Sequence, residues 1–319
     1  MPNGSLTTAK KSKYDEFYTQ LSDIEKEMFY YKDHFRGKTI YCNCDDPRVS
    51  NFWQHFSMNF EHYGLHWLVS SCYKSNNGDL FSKHDTEDRA VWLDYDGFRD
   101  GETMPRAEDI ERNTMSGDGD FRSQESIDLL EQADIVVTNP PFSLWKEYIA
   151  QLIQYDKKFI ILGNMNVIGY RDVFPLIRDN KVWLGISGIK SRSFNKPDGT
   201  VQSLGITCWF TNLSHKKRND FLPLMARYRP ENYPRYDNYD AIEVSKTRSI
   251  PYDYDGVMGV PISFLDKYCP EQFEILGITE TTEIGYSGGL FDEKSEIREP
   301  MIDGRKIYVR LFIRNRNPE

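Results

Sequence analysis

The sequence predicts an α/β sheet covered on both faces. Short strand-like runs alternate with amphipathic helical stretches along most of the chain, and those runs are apolar at nearly every position, as in strands buried from both sides. No internal repeat or low-complexity tract breaks that alternation.

Leu21, Ile24, Met28, Tyr31 and Phe35 recur at helical spacing, and Ser22 with Glu25 reads as a capping box, so an amphipathic helix opens the fold. A strand over 38–44 follows. Asp46 suits an N-cap with Pro47 at the first helical position, leading into Val49, Phe52, Trp53 and Phe56 on one face. A second strand covers 66–73, and 91–95 forms an accessory strand within the acidic stretch 76–114. Alternation resumes with a helix at 126–130, a buried strand at 134–138 and a helix at 144–153 capped by Ser143. A strand at 158–162 precedes a helix near 172–178, disturbed by Pro175. Strands at 181–184 and 205–210 flank a long polar loop. Beyond Asn212 the chain is rich in Tyr, Pro and Asp and reads as extended and loop-rich, closing in a strand over 306–316. In that strand Ile307, Val309, Leu311 and Ile313 alternate with Lys306, Tyr308, Arg310, Phe312, Arg314 and Arg316. The first set is expected to pack inward and the second to face out, either toward a phosphate backbone or as a charge-protected edge.

The 319 residues, 39% hydrophobic and 14% aromatic, suffice for one large or two small domains and exclude general disorder. No apolar run approaches the ~20 residues of a membrane span. The polar start lacks a signal peptide's apolar stretch, so a cytoplasmic protein without membrane partners is expected. Five cysteines (Cys42, Cys44, Cys72, Cys208, Cys269) lie mostly in apolar runs, as reduced thiols do, and Cys42-x-Cys44 lacks the second pair a structural metal needs, so no metal is expected. Net charge is −9 but unevenly spread: residues 79–134 carry −11, residues 186–229 carry +6 and residues 302–319 carry +3. Local basic segments on an acidic body remain compatible with nucleic acid.

Asn139-Pro140-Pro141-Phe142 follows the 134–138 strand directly. Ligands of open α/β sheets bind beyond the carboxyl ends of strands. Two prolines stiffen the turn and leave carbonyl acceptors outward, Asn139 adds an amide oxygen, and Phe142 adds a flat ring. The set suits a planar ring bearing an amino group. It is similar to the Asn-Pro-Pro-aromatic motif of S-adenosylmethionine-dependent methyltransferases that act on amino groups, of DNA adenine above all. Three further segments resemble DNA adenine methyltransferases, the last two resembling EcoRI-type modification methylases in particular: residues 15–19 (Asp-Glu-Phe-Tyr-Thr), residues 41–52 around Cys44-Asp45-Asp46-Pro47, and residues 117–123 (Gly-Asp-Gly-Asp-Phe-Arg-Ser). Residues 236–242 and 256–261 resemble that family too, so the likeness spans the chain from about Lys10 onward.

The resemblance implies a Rossmann-like methyltransferase fold: a mixed seven-stranded sheet with helices on both faces, a catalytic domain over 1–212 and a recognition region over 213–319. It implies S-adenosylmethionine as cofactor, with Phe17, Tyr18, Thr19, Cys44, Asp45 and Asp46 toward its methionine end and Asp120 and Phe121 toward its adenine. It implies a flipped adenine of double-stranded DNA as substrate, its amino group held by Asn139 and the Pro140 carbonyl beside Pro141, with Phe142 stacked on the base. The glycine-rich loop of the wider superfamily is replaced here by Asp45-Asp46-Pro47-Arg48, as in the EcoRI-type enzymes. Lys190, Arg192 and Lys196 in a 186–203 loop, with Arg310 and Arg314, are the expected DNA contacts. A restriction-modification or protective role implies a possible companion endonuclease acting on the same site without direct contact. Two alternatives are an RNA or protein-amide methyltransferase with the same tetrapeptide, and a catalytically silent nucleic-acid-binding protein.

Overall fold

The structure is a computed structural model that describes residues 18–44, 46–73, 90–97, 110, 112–196, 200–281 and 285–319, the side chain of Leu204 excepted. The chain divides into two compact units, Met1–Asn164 with Gly185–Leu213, and Met165–Leu184 with Ser214–Glu319. Residues 165–184 therefore group with the C-terminal part, which a single division at 212/213 does not anticipate.

The first unit is built on a mixed sheet. Its strands are β1 (Tyr18–Thr19), β2 (Thr39–Asn43), β3 (Trp67–Ser71), β4 (Val91–Tyr95), β5 (Arg112–Thr114), β6 (Ile135–Thr138), β7 (Lys158–Asn164), β9 (Lys190–Asn195) and β10 (Val201–Thr211). They lie in the order β1-β9-β10-β7-β6-β2-β3-β4-β5. That is more than the expected seven; β1 and β9 lie at one edge, and β4 and β5 at the other. The centre β7-β6-β2-β3 is parallel, and every residue of β2 and β6 is buried, which is why these strands read as unbroken apolar runs. From β2 the chain steps outward to β3, then returns to place β6 on the other flank of β2. The order of the sheet reverses between β2 and β6, and a crevice opens beyond the carboxyl ends of strands at such a point.

Helices follow the apolar spacing but not every expected cap. The helix Leu21–Met28 continues through a 3-10 turn, Phe29–Tyr31, into Lys32–Phe35, and it buries Ile24, Met28, Tyr31 and Phe35 completely. Its N-cap is Gln20, without a side-chain cap bond, so the Ser22–Glu25 capping box does not form. Asp46 is not a helix cap either. Its carbonyl closes a turn by accepting from Val49 N and Ser50 N, and the helix Asn51–Met58 is capped by Ser50, whose Oγ accepts from Phe52 N and Trp53 N. Ser143 lies inside a 3-10 turn, Phe142–Leu144, ahead of the helix Trp145–Gln154. Pro175 does not break its helix, Phe174–Arg178, because it stands in the first turn where its missing N–H costs nothing. The polar 186–203 stretch is mostly strand: β9 pairs β10 on one side and β1 on the other.

The second unit is more regular than a loop-rich tail. It contains β8 (Trp183–Leu184), β11 (Ile242–Glu243), β12 (Met258–Pro261), β13 (Phe273–Ile278), β14 (Met301–Ile302), β15 (Arg305–Lys306) and β16 (Arg310–Asn315). A four-stranded sheet has the order β11-β12-β16-β13, and β14 with β15 forms a separate ladder. The closing strand is thus shorter than 306–316 and central rather than an edge. Leu311, Phe312 and Ile313 are all fully buried, so alternation into an inner and an outer face fails. Among the described residues no helix is long and apolar enough to cross a membrane.

Candidate active site

Asn43 ends β2 and Thr138 ends β6, side by side at the switch point. Thr138 Oγ1 donates to the Asn43 carbonyl, and the Tyr148 hydroxyl donates to Asn43 Oδ1. The next residue after Thr138 is Asn139, 7% exposed, followed by buried Pro140 and half-buried Pro141 and Phe142. The Pro141 carbonyl accepts from Leu144 N at 3.0 Å, which bends the turn directly into the helix carrying Tyr148.

On the β2 side, Cys44 adopts φ +79°, a left-handed position rarely taken by residues other than glycine. The chain turns there without the glycines of the wider superfamily. Asp46 follows, its carboxylate held by Arg48: Nε lies 2.9 Å from Oδ1 and Nη2 lies 2.5 Å from Oδ2. Asp45 and Phe17 lie outside the described residues.

Residues 117–123 meet this end of the sheet. Gly119, at φ +75°, packs so closely on the chain after β3 that a Cβ there would lie 2.2 Å from the Cys72 carbonyl oxygen. Asp120 accepts Arg122 N and Nε on Oδ1, both at 2.8 Å, and Nη2 on Oδ2 at 2.6 Å. The Arg122 guanidinium holds the Asp120 carboxyl below the usual carboxylate range, and acceptor capacity remains on Oδ2. Phe121 is buried, its ring 5.1 Å from that of Tyr148.

Tyr18 and Thr19 reach the site through β1. Thr19 pairs with Phe194 of β9, and the Phe194 ring stands edge-on to Phe142 with centroids 6.4 Å apart. Asn51 Nδ2 donates to the Thr19 carbonyl at 2.7 Å, fixing β1 to the helix after the Cys44 turn. Thr19 is 1% exposed, and its Oγ1 meets no hydrogen-bond partner among the described residues. A buried hydroxyl in that condition is costly unless something else bonds it.

The expected DNA contacts fare unequally. Arg192 is 3% exposed, and its guanidinium donates to the Thr207 carbonyl at 2.5 Å, Ser187 Oγ at 2.8 Å and the Gly188 carbonyl at 3.2 Å. It holds the β9–β10 hairpin and is not an outward cation. Arg310 likewise forks onto Glu243, with Nη2 at 2.9 Å and Nε at 3.1 Å from Oε1, and both side chains are nearly buried. Lys190 is half-buried against Asp23 at 2.9 Å, Arg314 is exposed 3.8 Å from Glu274, and Lys196 is half-buried.

The motifs in the second unit are tied into its own turns by side-chain hydrogen bonds. Asn238 Nδ2 donates to the Ile297 and Glu299 carbonyls at 2.7 and 2.8 Å, Oδ1 accepts from Met301 N, and Asp237 accepts from Asp303 N and Gly304 N. Tyr236 donates to Glu243, and Gly259 leaves room for that phenol, since a Cβ would lie 2.1 Å from it. Sequence reasoning missed Asn43 and Tyr148. Their signals were a polar residue ending an apolar strand and a tyrosine on the inward face of the helix after the Asn-Pro-Pro-Phe turn.

A large mixed α/β sheet with this turn at its switch point fits a methyltransferase fold. The family model described as adenine-specific methyltransferase EcoRI matches residues 5–316, and the chain belongs to that family. Its relatives include the Type II methyltransferase M.EcoRI of Escherichia coli, 47% identical over 98% of this chain and 97% of the relative. Two others are M.MgeORF184P of Mycoplasma genitalium, 35% identical over 96% and 97%, and M.MpnI of Mycoplasma pneumoniae, 33% identical over 97% of each. The chain is thereby a site-specific DNA methyltransferase acting on adenine. No solved structure matches it.

Proposed function

We propose that the chain methylates the exocyclic 6-amino group of an adenine flipped out of duplex DNA, with S-adenosylmethionine as donor and the switch point beyond the carboxyl ends of β2 and β6 as the reaction site. The observation that carries this reading is Asn139 at the carboxyl end of β6, across the switch point from Asn43 and beside Phe142. The cofactor, when bound, supplies an already activated methyl group on a sulfonium. The residues fit it: the buried hydroxyl of Thr19, which bonds no described residue, can donate to its carboxylate, Asp120 Oδ2 retains acceptor capacity for an adenine amino group, and Phe121 offers ring edge. Tyr18, Cys44 and Asp46 shape the methionine end.

The chain's own task is orientation. Asn139 Oδ1 and the Pro140 carbonyl accept from the adenine amino group and turn its lone pair toward the methyl, while Phe142 stacks on the base. An adenine inside the duplex cannot reach such a turn, so it must leave the stack. Lys196, Lys190 and Arg314 remain as phosphate contacts, and the second unit carries sequence recognition. The enzyme acts in the cytoplasm in a protective or restriction-modification role, and a companion endonuclease reading the same site needs no contact with it.

The test is incubation with methyl-labelled S-adenosylmethionine and, separately, duplex DNA, RNA and a glutamine-bearing peptide, with mass spectrometry of the products. Label confined to N6-methyladenine of DNA supports the reading; label in RNA or peptide, or cofactor binding with no transfer, refutes it.

A further inference from the structure

We infer that Asn43 and Tyr148 are positioning residues that set the catalytic turn in register with the cofactor loop. The strands and the helix around the turn converge on Asn43. Its carbonyl is bonded by Thr138, the residue immediately before Asn139, and its Oδ1 by Tyr148, on the helix immediately after the turn. The chain entering and leaving Asn139-Pro140-Pro141-Phe142 is thus fastened to the same residue, and that residue is followed at once by the left-handed Cys44. Cys44 Sγ also lies 3.6 Å from Asn43 Oδ1.

Tyr148 extends the connection to residues 117–123. Its ring packs on Phe121, and Gln151, three residues along the same helix, donates to the Phe121 carbonyl at 3.0 Å. Thr138 and Tyr148 are completely buried and Asn43 is 6% exposed, so water cannot replace either bond. Burial also pushes the Tyr148 phenol well above its ordinary range, so it remains a donor at any working pH. Methyl transfer needs the amine and the methyl in line, and small displacements of positioned groups are expensive in rate. Asn43 and Tyr148 touch neither reactant in this account; they act through Asn139 and the two loops.

The inference rests on the site reading above, and the unaltered chain run in parallel separates the two. If that chain transfers no methyl to adenine, the site reading fails. If it does, the variants decide. Tyr148→Phe keeps the ring and removes the hydroxyl, and Thr138→Val removes the other bond. Each is expected to lower the single-turnover transfer rate ~10- to 100-fold, with cofactor affinity by calorimetry changed less than ~3-fold. Because both act through Asn43, their combined effect is less than the product of the two. Thr138→Ser, which keeps the hydroxyl, restores the rate. Rates are read well below each variant's thermal midpoint, so that lost stability alone leaves them unchanged. An unchanged rate in Tyr148→Phe overturns the inference, as does a cofactor affinity that falls in step with the rate, since the pair would then build the cofactor pocket alone.

Discussion

Cys44 shows how one residue can carry two demands. The backbone must turn sharply after β2, and the sequence places there a residue with a side chain, at φ +79°, where glycine would be unstrained. A left-handed position costs an ordinary residue about 1–2 kcal/mol. Cys44→Gly is therefore expected to leave stability within about 1 kcal/mol, relief of strain offsetting the extra freedom of the unfolded chain, whereas the β-branched Cys44→Val should destabilise by more. Urea unfolding of both variants checks the order, and a Val variant as stable as the Gly variant refutes it. Thr19 permits a complementary test on the cofactor. Removing its hydroxyl in Thr19→Val should weaken S-adenosylmethionine binding by about 1 kcal/mol while the ligand-free chain keeps or gains stability, because that buried hydroxyl bonds no described residue. Calorimetry showing unaltered affinity would remove Thr19 from the pocket.

The helix Asn51–Met58 and the strand β16 show where reading along the sequence succeeds and fails. The apolar stripe Phe52, Trp53 and Phe56 was legible because burial follows helical spacing. The cap was not, since Asp46 and Ser50 both have capping side chains, and the Asp46 carboxylate is taken up locally by the backbone and guanidinium of Arg48. The same helix buries His55, 3% exposed, with Nε2 at 3.0 Å from the Tyr63 hydroxyl. Burial pulls its pKa down to about 4. An unfolded His titrates near 6.5, so between these values the unfolded chain binds more protons, and stability falls as the pH drops from about 6.5 toward 4. The loss is of order 3 kcal/mol at most and levels off below pH 4; unfolding curves across that range should lose this component in His55→Gln, and an identical pH dependence contradicts it. In β16 the alternation of arginines and apolar residues suggested an outer face, but neighbours on both sides and a packed aromatic cluster override the period-two pattern. Arg310→Ala should then cost stability, about 3 kcal/mol, by leaving Glu243 buried and unpaired beside Tyr236, instead of changing the salt dependence of DNA binding. An unaltered denaturation midpoint would return Arg310 to the surface reading.

The sheet of the first unit converts scattered motifs into one place. Residues near 19, 44, 120 and 139 are far apart in sequence, and their likeness to a family is what first grouped them; the topology gives the physical reason, because β2 and β6 are neighbours around which the strand order reverses. The alternation of strands and helices was legible because buried parallel strands need no polar face. The edge strands β1, β5 and β9 were not, being short or polar and formed by pairing with distant partners. Nor was the grouping of residues 165–184 with the C-terminal unit, since no composition change marks it. Arg192 illustrates the same limit: a charge in a polar stretch reads as exposed, and only the hairpin's carbonyls show that it is enclosed. Asn139, at this switch point, is proposed to orient the adenine amino group for transfer. Single-turnover transfer of labelled methyl to adenine, compared between the unaltered chain and Asn139→Ala with cofactor affinity measured on both, tests it most directly. Asn139→Ala is expected to lose at least ~100-fold in rate, about 3 kcal/mol of transition-state stabilisation, with cofactor affinity little changed; near-normal transfer by Asn139→Ala would rule out that role.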